Sequence, residues 1–195
     1  MQQNPKGKSL RLAYFALGSN VSSPGSDLAT KLSQALDALE NEDCELVAAS
    51  SFYVTPAFPA GSGPDFLNAA AIVRTRLSPG ELLKRFNAVE AQFGRVRRER
   101  WAARTLDLDL IAYEDMVLPD AETFRTWHDL PFERQKEEAP EELIVPHPRL
   151  QDRSFVLVPL CEIAPDWCHP VLGQTVQQML DALPDAEKSA ISKLS

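Results

Sequence analysis

From Leu106 to Tyr113 the chain reads Leu-Asp-Leu-Asp-Leu-Ile-Ala-Tyr, a period of two that an extended strand converts into two faces. Leu106, Leu108, Leu110 and Ala112 then share one face, and Asp107, Asp109, Ile111 and Tyr113 the other. On a strand, Cα atoms two residues apart are separated by about 6.5 Å, so both carboxylates can converge on cations about 3.5–4 Å apart. A ligand set of oxygens favours Mg²⁺. Immediately upstream lie Arg95, Arg97, Arg98, Arg100 and Arg104, with Trp101 among them. Two like charges on one half-buried face need a counter-ion, and the guanidinium groups need an anion. A polyphosphate carried by Mg²⁺ meets both demands. A solvated acidic strand after a solvated basic loop is the plainer reading of Asp-Leu-Asp alone, and the arginines and Trp101 weigh against it.

The rest of the composition narrows the class. A chain of 195 residues, 44% hydrophobic and 25% charged, is expected to form a single domain over residues 1–195 with a real core. Its net charge of −8 argues against nucleic acid as a partner. The basic cluster is therefore a local anion site. Three cysteines, Cys44, Cys161 and Cys168, without a Cys-x-x-Cys pair suit a reducing cytoplasm and no zinc site. The apolar run after the first basic residues stops at Gly18-Ser19-Asn20, too short for a signal core or a membrane span.

Periodicity places a strand over Leu10–Leu17, closed by a Gly-Ser-Asn turn, then a helix with Leu28, Leu32, Ala35, Leu36 and Leu39 on one stripe. A strand over Leu46–Thr55, a Pro- and Gly-rich loop to Asp65 and a strand over Phe66–Leu77 follow. Ser78-Pro-Gly-Glu81 is a helix start with a capping box, and Gly94 a helix end. With the Asp-Leu-Asp strand the order is β-α-β-β-α-β, the ferredoxin-like pattern of an antiparallel α+β sheet with helices on one face. Residues 119–142 form an excursion that general loop behaviour makes an inert variable loop more often than not, while its Phe124, Trp127 and Phe132 offer a means of docking. Asp152 is expected to cap a helix over Phe155–Ile163, Thr175 and Gln178 to cap another, and the polar tail after Pro184 to fray. No P-loop sequence occurs.

Thr55-Pro56, Phe66-Leu67-Asn68, the arginine–Trp–Asp-Leu-Asp stretch, Val145-Pro-His147 and Arg153-Ser-Phe155, taken in order, resemble the 6-hydroxymethyl-7,8-dihydropterin pyrophosphokinases of folate biosynthesis. The resemblance implies a ferredoxin-like α/β/α sandwich that transfers the diphosphate of ATP to the pterin hydroxymethyl oxygen and releases AMP. It implies two Mg²⁺ ions on Asp107 and Asp109, and Arg95 and Arg104 on the phosphates. By the same resemblance Glu90, Arg97, His147 and Arg153 lie on the nucleotide side. Thr55, Pro56, Phe66, Asn68, Trp101 and Phe155 correspond to the pterin pocket. A monomer is expected, with ATP and the pterin as partners and no nucleic acid or membrane.

Two departures stand out. Ala102-Ala103 replaces the family's usual Gly-Pro, and the 119–142 excursion is longer than in compact members. Two other functions stay open at this point. One is a binding module without catalysis, and the other a nucleotidyl transferase attacking the α-phosphorus, which would release pyrophosphate where a pyrophosphokinase releases AMP.

Overall fold

The computed structural model describes residues 9–21, 27–57, 63–94, 105–131, 134 and 138–194. Its centre is β1 (Arg11–Ser19), which pairs antiparallel with β4 (Phe66–Thr75) on one side and β5 (Asp107–Tyr113) on the other. The sheet order is β5-β1-β4-β3-β6, with β3 (Tyr53–Thr55) and β6 (Ser192–Lys193) at one edge and β2 (Cys44–Ala49) also beside β4. The β-α-β-β-α-β order is therefore realised as an antiparallel sheet.

One face of the sheet carries Phe15, Leu17, Leu67, Ala69, Ala71 and Val73. Against it lie Leu32, Leu36 and Leu39 of α1 (Leu28–Leu39) and Leu82, Phe86 and Val89 of α2 (Pro79–Gln92). Asp27 caps α1 by accepting the Thr30 amide at 2.7 Å, and Ser78 with Glu81 forms the expected capping box of α2. Gly94 takes a φ of +79°, the left-handed region in which it ends the helix. The rings of Phe15 and Phe86 stand 5.0 Å apart, both fully buried. Phe86→Ala is expected to cost about 3–5 kcal/mol of stability, because the surrounding sheet and helices cannot collapse into the cavity. Urea unfolding measures it.

The other face carries the small residues Ala16 and Ala70, with Ile111. These let α4 (Ser154–Ile163) and α5 (Val176–Ala182) seat Val156, Leu157, Leu160, Val176 and Met179 directly on the sheet. Helices thus cover both faces. The pattern read from periodicity put them on one face, and the C-terminal third supplies the second layer.

Several boundaries differ from expectation. The strand foreseen over 46–55 is two strands, because the buried Ser50 hydroxyl, not a backbone carbonyl, accepts the Ala70 amide at 3.0 Å and breaks the ladder. Gly18 and Ser19 belong to β1 and not to a turn. Tyr113 lies with Leu110 and not with Asp109: Phe15 pairs with Leu110 and Tyr14 with Ala112, so Ile111 is an extra residue that reverses the alternation. Asp152 does not cap α4. It ends a 3-10 turn and pairs with Arg149 at 3.2 Å, while Arg153 holds the N-cap position without capping the helix through its side chain. The tail after Pro184 is ordered into α6 (Asp185–Ser189) and β6, whose Lys193 pairs with Tyr53.

The excursion contains α3 (Ala121–His128), capped by Asp120, which accepts the amides of Glu122 and Thr123 at 2.9 and 2.8 Å. Phe124 is fully buried and its ring lies 5.0 Å from that of His169, itself 5.7 Å from Trp167. Trp127 is half-buried, and Phe132 lies outside the described residues. Docking by an aromatic therefore holds for Phe124.

His169 is fully buried, and its Nδ1 accepts the amides of Val171 and Leu172 at 3.1 and 3.2 Å. Burial, with the charge of His128 as a lesser cause, pushes its pKa from the ordinary 6.5 down to about 4. The unfolded chain takes up this proton near 6.5, the folded chain only near 4. The contribution to stability is thus complete above pH 6.5 and is lost as pH falls toward 4, amounting to about 3 kcal/mol over that window. Urea titrations between pH 7 and 4 should show a shallower acid decline for His169→Gln than for the unsubstituted protein.

Candidate active site

At the end of β1, Gly18 pairs with Asn68 on β4 and with Asp107 on β5. At about 4.8 Å per strand, Asn68 and Asp107 stand about 9.5 Å apart across the sheet, with no side chain between them. A Cβ on Gly18 would come within 2.3 Å of the Asn68 Oδ1. The glycine is therefore a floor, required for the absence of a side chain and not for its backbone freedom. One step along, Ala16 pairs with Asp109, so both carboxylates rise from the same face as Asn68, at the margin of the layer formed by α4 and α5.

Asn68 is buried, and its Nδ2 donates to the Thr55 hydroxyl, which fixes the amide and leaves Oδ1 beside Gly18. Thr55 pairs with Phe66 and Tyr53 with Asn68, so the pterin-side candidates Thr55, Phe66 and Asn68 form one cluster on β3 and β4. Pro56 follows at the exposed end of β3. Phe155, in the first turn of α4, is 38% exposed, unusual for Phe.

Arg153 joins the acidic and aromatic sides. Its Nη1 donates to the Asp109 Oδ2 at 3.4 Å, and its guanidinium lies 5.7 Å from the centre of the Phe155 ring. His147 is brought to the same place by the bulge, since the Ile111 carbonyl accepts the His147 amide at 2.8 Å. The Arg149 amide donates to His147 Nδ1 at 3.0 Å, so the neutral ring carries its proton on Nε2. Desolvation, then the charges of Arg153 and Arg149, hold the His147 pKa well below its ordinary value, while Asp107 pulls weakly the other way. His147 is thus a neutral donor at physiological pH. Arg149 also donates to the Leu130 carbonyl at 2.7 Å, which ties the excursion to this segment.

Glu90, expected on the nucleotide side, is buried, and its Oε1 accepts the Leu108 amide at 2.8 Å. The structure thus gathers Asp107, Asp109, His147, Arg153 and Phe155 at one side and Thr55, Phe66 and Asn68 at the other. Arg95, Arg97, Arg100, Trp101, Ala102, Ala103 and Arg104 lie outside the described residues. Sequence reasoning missed three contributors: Gly18, Ser19, whose hydroxyl donates to the Thr105 carbonyl at 2.6 Å just before β5, and Arg149. Gly18-Ser19 carried a signal, but one that reads equally well as a turn.

Among the described residues no group of three or more His, Cys, Asp or Glu could hold a metal ion. Two carboxylates beside an open floor nevertheless fit Mg²⁺, which keeps waters and takes further oxygens from a bound phosphate. Among the described residues no helix is long and apolar enough to cross a membrane.

The model of the family described as 7,8-dihydro-6-hydroxymethylpterin-pyrophosphokinase matches residues 14–165, an interval that contains every described residue of this site. The chain belongs to that family. Among its relatives, a 2-amino-4-hydroxy-6-hydroxymethyldihydropteridine pyrophosphokinase of Synechocystis is 41% identical over 171 residues, covering 87% of this chain and 74% of the relative. The protein of that name from Haemophilus influenzae is 36% identical over 172 residues, covering 87% of this chain and 93% of the relative. Two solved structures share the fold. An HPPK-DHPS in complex with substrates aligns at a TM-score of 0.68 and 11% identity over 95% of this chain. The wild-type HPPK-DHPS of Plasmodium falciparum aligns at 0.62 and 14% over 89%. This chain spans 47% and 44% of those two longer chains. The protein is a pterin pyrophosphokinase of folate biosynthesis, and the α+β sheet with two helical layers is the family fold.

Proposed function

We propose that this pyrophosphokinase takes ATP as its donor, works with two Mg²⁺ ions on Asp107 and Asp109, and forms AMP and the pterin diphosphate. The observation that carries this reading is that Asp107, Gly18 and Asn68 stand in one row across three strands, so an acidic group and a fixed amide face one floor. Mg²⁺ at the two carboxylates supplies neutralisation of phosphate charge and a lowered pKa for the attacking hydroxyl.

The chain's own residues then divide the work. Asn68, with Thr55 holding its amide, presents an acceptor to the mixed donor and acceptor edge of an aminopterin. Phe155, with Trp101 and Phe66, supplies flat apolar faces for the ring, and Pro56 borders it. His147 donates from Nε2 on the nucleotide side, where Arg97 and Arg153 add positive charge. Arg95 and Arg104 pair with the phosphates, a task suited to a planar, permanently charged fork. The three free cysteines suit a reducing cytoplasm.

Chromatography of a reaction containing ATP, Mg²⁺ and 6-hydroxymethyl-7,8-dihydropterin tests the reading. AMP formed only when the pterin is present is the expected result. Pyrophosphate in place of AMP would mean attack on the α-phosphorus and would overturn it.

A further inference from the structure

Glu90 sits in the last turn of α2, on a different element from the two aspartates, and is only 3% exposed. Its Oε1 accepts the amide of Leu108, the residue between Asp107 and Asp109, at 2.8 Å. The direction of that amide gives the bond its meaning. Among the described residues β5 is an edge strand whose strand partner is β1, and successive amides on a strand point to opposite sides. The Leu108 amide points away from β1, toward the edge, where a partner must come from outside the sheet. A buried amide left without one is destabilising.

We infer that Glu90 is a positioning residue for the metal-binding strand: by holding the Leu108 amide from the free edge, it fixes the backbone from which Asp107 and Asp109 project. The two carboxylates repel each other, and β5 bulges at Ile111 only two residues beyond Asp109. A strand so loaded tends to twist away from β1 at this point. Glu90 opposes that movement with a side-chain acceptor aimed at the free edge. The same bond ties the end of α2 to the start of β5, the two elements joined by residues 93–106.

This inference rests on the reading of Asp107 and Asp109 as metal ligands, and the test separates the two. Mn²⁺ binding is measured by electron paramagnetic resonance in the presence of an α,β-methylene analogue of ATP, beside hydrogen exchange of the Leu108 amide and thermal unfolding. Glu90→Ala is expected to weaken Mn²⁺ binding about tenfold or more, in the range of lost outer-shell partners, and to speed exchange at Leu108. Glu90→Gln, which keeps an acceptor of the same reach, is expected to restore both to within about threefold, on the same scale. Should Glu90→Ala not fold, Glu90→Asp, with the acceptor drawn back by one methylene, is expected to weaken Mn²⁺ to the same extent.

A Glu90→Ala protein that unfolds more easily but binds Mn²⁺ normally would make the bond merely structural and overturn the inference. So would a Glu90→Gln protein that binds as poorly as Glu90→Ala while Leu108 stays protected, since the carboxylate would then be a direct ligand of the nucleotide. If Asp109→Ala itself binds Mn²⁺ normally, the metal-site reading falls and this inference falls with it.

Discussion

Asp107→Ala and Asp109→Ala are each expected to reduce AMP formation about 10³-fold or more, the scale on which loss of a preorganised electrostatic group acts at a phosphoryl centre. Neither change should unfold the protein. Both residues pair with β1 through their backbones, opposite Gly18 and Ala16, and both side chains are only half-buried. Removing one of two neighbouring carboxylates also relieves repulsion, so the unfolding temperature is expected to hold or rise slightly. The two variants should differ in one respect. Asp109→Ala releases Arg153 from its ion pair, whereas Asp107→Ala leaves that contact in place. Single-turnover assays of AMP formation, run beside thermal unfolding, check both statements. A variant that keeps more than about a tenth of the rate would remove that residue from the metal site.

Gly18→Ala is expected to have the second largest effect. The added methyl would meet the Asn68 Oδ1 at 2.3 Å, and Asn68 cannot simply turn away, because it is buried and its Nδ2 is bonded to Thr55. Either the strands part or the amide rotates and leaves Thr55 unpaired. The expected outcome is a loss of about 1–3 kcal/mol in stability, typical of an overpacked site, and a fall of about 10²-fold in kcat/KM, mostly through KM for the pterin. The double variant Gly18→Ala with Asn68→Ala separates the two effects. It removes the clash and should recover stability, but pterin recognition should stay lost. Recovery of KM in the double variant would show that Asn68 does not read the pterin.

Much of the scaffold was legible along the chain because its signals are local. The Ser78–Glu81 capping box, the left-handed Gly94, the Thr175–Gln178 pair and the alternation through Asp107 and Asp109 each depend on neighbours within four residues, and each is found in the structure. The misplacements have the opposite character. The reversal of Tyr113 comes from a bulge against β1, and the break between β2 and β3 from a hydroxyl facing Ala70. The ordering of the tail comes from an open edge on β3, where Lys193 and Ser192 find partners about 140 positions away in sequence, as long-range strand pairing allows.

The sequence by itself determined the chemistry available to this protein. Paired carboxylates on one strand face, a dense arginine segment, a histidine between two prolines and a set of aromatics are properties of residue type and spacing, and they need no fold to be read. Only the tertiary structure decided which of these groups meet. Gly18 reads as a turn until β4 and β5 are laid on either side of it and the missing Cβ becomes the floor between Asn68 and Asp107. His147 reads as a turn residue until the Ile111 carbonyl takes its amide. Glu90 reads as one more polar residue at a helix end until its carboxylate is seen to reach the edge of β5. In each case the deciding contact joins residues far apart in the chain. Its energy depends on burial and on a partner's direction, and neither is encoded within the span of a local motif.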